Sequence, residues 1–314
     1  MNCPACGMLA EPEARFCEAC GAALTSPSKD PGWVAAAVED HFELDLGPDL
    51  AAVSDRGLVH ARNEDAVAVT RDTIDGRAIT ILVVCDGVSS SHDPARGSAT
   101  AARVAADTLL AGARNSWDPD QQMHAAILDA HAAVAGLVPA SAGDDRPLTT
   151  IVAALVDQTA VTVGWAGDSR AYVLGTASRA LTRDDSWCNW AIERGLVTPA
   201  EAMHSPNAHA IVQCLGDPTD VPVPHIVRTA MAPGDRLLLC SDGLWNYAPE
   251  SDDLARILSG SSGGSTIAAC RAMIAFANGA GGRDNITAAM LAVRRDTIAL
   301  APPDEASSIA SRDA

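Results

Sequence analysis

The sequence predicts an α+β fold in which antiparallel sheets are sandwiched between helices. Three observations lead there: the apolar, strand-like runs are short and come in hairpin-like pairs, the two longest helical segments follow one another, and strands and helices are segregated instead of alternating. Taken in order, residues 25–48 read as a linker. They open Thr25-Ser26-Pro27-Ser28-Lys29-Asp30-Pro31-Gly32, a composition of turn formers, and carry a short helical patch over Trp33 to Glu39. One domain spans 49–295. Ile79 to Cys85 is apolar and β-branched, hence a strand. Asp93-Pro94 sets an N-cap before a first-turn proline and opens an Ala-rich helix through Leu110. Asp118-Pro119-Asp120-Gln121 repeats the device with a capping-box glutamine and opens a helix to about Val138. Ile151 to Val156 and Val161 to Ala166 are strands. An irregular stretch follows, with a capping box at Thr198-Pro199-Ala200-Glu201. Arg236 to Cys240 is a short leucine-rich strand, Ser265 to Asn278 a helix ended by glycines, and Ile286 to Val293 the last strand. The polar tail, 296–314, is expected to be disordered.

Composition narrows the function classes. The 314 residues suffice for one large domain with small appendages, and 48% apolar content supports a sizeable core. Only 4% is aromatic, so that core is built from Ala, Val, Leu and Ile. A net charge of −18 argues against nucleic acid and against anionic membranes as partners. No apolar run is long enough for a transmembrane helix. The opening Met1-Asn2-Cys3-Pro4 has neither the basic nor the apolar region of a signal peptide. The expectation is a cytoplasmic, thiol-reducing setting. The nine cysteines are then not a disulfide framework. Cys85, Cys188, Cys214, Cys240 and Cys270 show no metal spacing and read as core fillers.

The other four cysteines are different. Cys3-Pro4-Ala5-Cys6-Gly7 and Cys17-Glu18-Ala19-Cys20-Gly21 are two CxxC-Gly knuckles separated by ten residues. Each knuckle presents two thiolates to one ion, and the pair completes a tetrahedral zinc site. Residues 1–24 therefore look like a minimal zinc ribbon with one structural zinc held by Cys3, Cys6, Cys17 and Cys20. A segment this small has no core of its own, so the metal staples it. A redox or zinc-sensing role is the other reading.

The remaining chemistry lies in acidic motifs: Arg62-Asn63-Glu64-Asp65, Val84-Cys85-Asp86-Gly87, Gly167-Asp168-Ser169-Arg170, Ser241-Asp242-Gly243 and Gly282-Arg283-Asp284-Asn285. Asp86, Asp168 and Asp242 follow strand-type runs, and Asp284 opens one. Carboxylates gathered at strand ends make a hard-cation site. One aspartate can bridge two such ions, whose shared water becomes a nucleophile near neutral pH. Any single Asp-Gly is ordinarily a turn; the conjunction carries the reading.

These motifs in this order resemble the metal-dependent protein phosphatases of the 2C type, over about residues 50–295. The resembling segments are Ser54-Asp55-Arg56-Gly57 through Asn63-Glu64-Asp65, Cys85-Asp86-Gly87, Thr149-Thr150, Gly167-Asp168-Ser169-Arg170, Leu181-Thr182 with Asp184 and Ser186, Leu239 to Trp245, and Arg283-Asp284-Asn285-Ile286-Thr287. The resemblance implies an αββα sandwich and a Ser/Thr phosphatase that hydrolyses phosphoserine and phosphothreonine by direct attack of a metal-activated water. It implies two or three Mn2+ or Mg2+ ions. Asp86 would bridge two of them with the Gly87 carbonyl on one, Asp242 and Asp284 would complete the first, Glu64 and Asp65 would hold metal waters or bind directly, and Asp168 with Asp242 would serve a third. Residues 183–216 would form a flap beside the cleft. Partners would be phosphorylated Ser/Thr proteins, substrates of a Ser/Thr kinase in bacterial signalling.

The chain departs from the pattern in three places, one of them Leu148, where the family has a glycine before its middle threonines. Where the family sets a phosphate-clamping arginine, four residues before Glu64, stands His60. If this piece is a strand, Arg62 shares its face and takes over the clamp, with His60 as a weaker, pH-dependent aid. The family's glycine-rich loop reads Asp86-Gly87-Val88-Ser89-Ser90-Ser91-His92. The rival reading is a weak or inactive relative that binds phosphoproteins and acts through its zinc ribbon; the complete carboxylate set argues against it.

Overall fold

Strands β4 (Arg77–Cys85) and β5 (Ile151–Asp157) are buried along most of their length on both faces, which happens only where a sheet is covered twice. The computed structural model, which describes residues 40–138, 145–208, 210–260 and 264–293, shows how. Two antiparallel sheets stack face to face. One has the order β3-β4-β5-β6-β9, with β3 Ala66–Ile74, β6 Ala160–Ala166 and β9 His225–Ala230. The other has the order β1-β2-β11-β10-β7-β8, with β1 His41–Asp45, β2 Leu50–Asp55, β7 Arg170–Leu174, β8 Arg179–Ala180, β10 Arg236–Cys240 and β11 Ile286–Ala292.

Three apolar layers follow. Between the sheets lie Val67, Val69, Leu82, Val84, Leu237 and Leu239. Helices α1 (Pro94–Arg114) and α2 (Pro119–Ala135) cover the first sheet through Ala101, Ala105, Leu109, Met123 and Ile127. The second sheet is covered by α5 (Asp242–Trp245), α6 (Ser251–Gly260) and α7 (Thr266–Ala280) through Leu244, Leu254, Met273 and Ile274. The short helices α3 (Trp187–Glu193) and α4 (Pro199–Met203) stand outside these layers, over a small cluster of Cys188, Ala202 and Ala208. Alanine in place of larger side chains lets helix and sheet approach closely, in keeping with the low aromatic content. Among the described residues no helix is long and apolar enough to cross a membrane.

Five predicted strands and the predicted helices are present, with instructive differences. The described part of the stretch read as linker carries β1, which pairs with β2; its sequence, HFELD, is a polar edge strand with little hydrophobic signal. The patch Trp33 to Glu39 lies outside the described residues. The α1 cap is not the expected side-chain one: Asp93 is left-handed at φ 50°, and its carbonyl accepts from the N–H groups of Arg96 and Gly97. The helix also runs past Leu110 to Arg114, whereas α2 ends at Ala135, short of Val138, with Gly136 as its C-cap. Asp118 caps α2 by accepting from the Asp120 and Gln121 N–H groups, without the reciprocal Gln121 side-chain bond that was expected, and Thr198 and Glu201 form the full capping box of α4. The irregular stretch contains β7, β8, β9, α3 and α4.

Candidate metal centre

The strand registers bring the acidic motifs to one end of the sandwich. Ala66 stands opposite Cys85, Ile151 opposite Ala166, Cys240 opposite both Arg170 and Ala288, and Asp55 opposite Ile286. Glu64 and Asp65 therefore enter β3 beside Asp86, which leaves β4. Asp168 lies in the turn between β6 and β7, Asp242 opens α5 after β10, and Asp284 precedes β11. Hydrogen bonds tie the two sheets at this end. Asp65 Oδ2 accepts from Ser241 Oγ at 2.8 Å and Thr287 Oγ1 at 2.7 Å. Asn285 accepts from the Glu64 N–H at 2.7 Å and donates to the carbonyls of Arg56 and Arg62. Thr150 Oγ1 and Ser169 Oγ lie 2.8 Å apart.

Electrostatically the cluster is strained. Burial pushes Asp65 up to about 7, with the charges of Asp242 and Asp284 adding to it and the Thr287 and Ser241 hydroxyls opposing it. Enclosure raises Asp86 well above the carboxylate range, and Asp65, Asp242, Asp168 and Asp284 all raise it further. Asp168 rises for the same reason, beside Asp242 and Asp184. Asp242 is pushed to about 6 by burial and by Asp284. Such a set is stable only with protons or cations among its members.

The donor set fits a hard cation. It consists of carboxylate oxygens, with the Gly87 carbonyl beside Asp86. Asp65 Oδ1 and Asp242 Oδ1 are buried with no hydrogen-bond donor, an arrangement that costs free energy unless a cation or its water reaches them. Among the described residues no three His, Cys, Asp or Glu side chains close on a single ion. Asp284 Oδ1 lies 3.3 Å from His60 Nε2.

Residues 56–65 form a turn followed by bends and irregular chain, not the strand on which His60 and Arg62 would share a face. Gly57 starts the turn at φ +75°, and Leu58 N–H then binds the Gly282 carbonyl at 2.7 Å. His60 consequently lies against Asp284, while Arg62 is exposed. A Cβ on Gly57 would stand 2.1 Å from the Asp284 carbonyl. Gly57→Ala is therefore expected to destabilise the fold by about 1–3 kcal/mol and to weaken Mn2+ binding with it. Thermal melts and metal titration of the variant check this.

Several contacts were not legible in the motifs. Ser89 Oγ donates to Glu64 Oε2 at 2.5 Å, Asn246 Nδ2 to Asp242 Oδ2 at 3.1 Å, and Trp245 Nε1 to the Asp168 carbonyl at 2.8 Å. Arg170 forks onto Asp184 with two 2.7 Å bonds. Only the spacing of Asn246 four residues after Asp242, one helical turn, offered a signal. Cys3, Cys6, Cys17 and Cys20 lie outside the described residues.

Comparison with known proteins agrees with this geometry. Residues 59–262 match the family model described as protein phosphatase 2C. The chain is 31% identical to the serine/threonine phosphatase stp of Listeria monocytogenes, over 77% of this chain and 94% of that protein. It is 30% identical to the serine/threonine protein phosphatase PstP of Mycobacterium tuberculosis, over 76% of this chain and 43% of PstP. The crystal structure of the PstP catalytic domain in complex with two manganese ions superposes with a TM-score of 0.59 at 27% identity, covering 78% of this chain and 97% of that one. With two antiparallel sheets flanked by helices, and the acidic motifs gathered at one end of them, this chain belongs to the protein phosphatase 2C family.

Proposed function

We propose that the protein is a manganese- or magnesium-dependent phosphatase that removes phosphate from phosphoserine and phosphothreonine in proteins phosphorylated by a bacterial Ser/Thr kinase. The observation that carries this reading is the group of carboxylates Asp65, Asp86, Asp168 and Asp242, each raised in pKa by burial and by its acidic neighbours, with two buried oxygens lacking donors. Ions bound there supply a water acidic enough to attack phosphorus directly and offset the charge of the phosphoryl oxygens.

The chain's own residues have separate tasks. Asp86 stands at the centre of the set and would be shared between two ions, with the Gly87 carbonyl beside it. Asp242 and Asp284 would hold one of these ions from the second sheet. Glu64 and Asp65 would orient waters, and Asp168 with Asp242 would hold a third ion. Ser241 and Thr287 keep Asp65 aimed at the site from across the sandwich. Arg62, exposed beside the cluster, would clamp substrate phosphate, with His60 as an aid. Arg62→Ala is expected to raise KM for a phosphothreonine peptide roughly 10-fold at pH 8, the cost of one charge-assisted contact, with kcat little changed. An unchanged KM would remove Arg62 from the phosphate site.

The four N-terminal cysteines are proposed to bind one structural zinc, on the strength of their paired CxxC-Gly spacing. A reducing cytoplasm would keep them free of disulfides, and zinc would bind them as thiolates. The function itself is tested by offering phosphothreonine, phosphoserine and phosphotyrosine peptides with Mn2+. Turnover of the first two in preference to the third supports the reading, and no turnover from folded protein contradicts it.

A further inference from the structure

A cavity of ≈ 310 Å³ lies beside the carboxylates. Asp168 and Asn246 are part of its wall, and Asn246 donates to Asp242, so the cavity opens directly off the candidate metal centre. At its base the Arg170 guanidinium lies 3.6 Å over the Trp245 ring and forks onto Asp184. That fork uses the arginine's charge internally, and little remains for a second phosphate. Ser186 and Asn189 on the wall are engaged as well. Ser186 Oγ caps α3 by accepting from the Asn189 N–H, and Asn189 Nδ2 donates to the Asp184 carbonyl. What is left to meet a ligand is apolar: Cys188, Met203, Ala208, Trp245 and Pro249. Met203 is 65% exposed on α4, and its unbranched thioether adapts to different shapes.

We infer that this cavity is a specificity subsite, which takes the apolar side chain of a residue flanking the phosphoserine or phosphothreonine of a protein substrate. The inference rests on the phosphatase reading above. An extended peptide advances about 3.3 Å per residue and turns alternate side chains to opposite faces. A residue one or two positions from the phosphorylated one therefore reaches a cavity that adjoins the metal centre. An acidic flanking residue is disfavoured, because Asp168 and Asp184 both line the space. A lysine would find Asp184 already forked by Arg170 and Asp168 turned to the metal centre, whereas leucine or methionine loses nothing on entering. Specificity then comes from the wall formed by α3, α4 and α5, away from the atoms that perform the chemistry.

The test compares Mn2+-dependent kcat/KM on phosphothreonine peptides carrying Leu, Ala, Glu or Lys at each of the two positions on either side. p-Nitrophenyl phosphate, which has no flanking residues, is the reference substrate. At one position Leu is expected to exceed Ala by on the order of 10-fold and Glu by more. Met203→Glu changes an exposed side chain and leaves the core alone. It is expected to reduce the Leu preference several-fold while p-nitrophenyl phosphate turnover is kept. Ala208→Phe, which fills the cavity, is expected to do the same. No preference at any position, or a preference that survives both substitutions, overturns the subsite while the phosphatase reading stands. Failure of the wild type on every substrate, p-nitrophenyl phosphate included, overturns the phosphatase reading and the subsite together.

Discussion

Asp86→Asn is expected to lower kcat/KM on a phosphothreonine peptide by about 10³-fold or more, in the range lost when one preorganised group at developing charge is removed. Asp86 is the residue to choose because its carboxyl feels the charges of Asp65, Asp242, Asp168 and Asp284 at once. Asparagine preserves shape and removes one negative charge. The same substitution should make the metal-free protein more stable, because one of five mutually repelling carboxylates is gone. A gain of about 1 kcal/mol would raise Tm by roughly 2–4 °C in a domain of this size. Activity and stability moving in opposite directions is the signature of a functional group held at a cost to the fold. If Tm fell along with activity, Asp86 would be a structural residue.

The second large effect is in pH and metal. Asp65, at about 7, and Asp242, at about 6, are raised above their unfolded value of 3.8, and Asp86 and Asp168 are raised in the same direction. A carboxyl with a raised folded pKa binds more protons folded than unfolded. The stability it contributes is full below the unfolded pKa and is lost as pH rises through the folded one. Metal-free protein should therefore gain stability as pH is lowered from 8 to 6. His131 acts in the opposite sense: burial lowers its pKa, so its contribution is lost as pH falls. One histidine is outweighed by four carboxylates. Mn2+ replaces the protons, so its binding at pH 6 should release them, and at 100 times Kd it should stabilise the fold by about 2.7 kcal/mol. Calorimetric titration in buffers of different ionisation enthalpy reads the released protons directly. Binding without proton release, and melts independent of pH between 6 and 8, would sink this picture.

Much of this was legible in the sequence, for local reasons. Arg236 to Cys240 was read with its observed bounds because a leucine-rich run between charged residues leaves few alternatives. The caps of α2 and α4 follow from Asp118 and Thr198, each beside the helix it serves. What stayed hidden depends on neighbours distant in the chain. β1 and β9 are exposed edges whose polar sequences resemble loops. The acidic motifs could be ordered along the chain, but not the support around them: Ser241 and Thr287 reach Asp65 from 176 and 222 residues away. The turn at Gly57 that sets His60 on Asp284 is likewise tertiary, because its partner is the Gly282 carbonyl. A strand pattern alone placed His60 and Arg62 together, and the turn separates their roles.

The most direct test of the carboxylate centre is the Mn2+ dependence of phosphothreonine-peptide hydrolysis by wild type and by Asp242→Asn, with a chelator control. Turnover that rises with Mn2+, disappears with chelator and is lost in folded Asp242→Asn is the result expected here. Turnover that survives the chelator, or that Asp242→Asn retains in full, would contradict it.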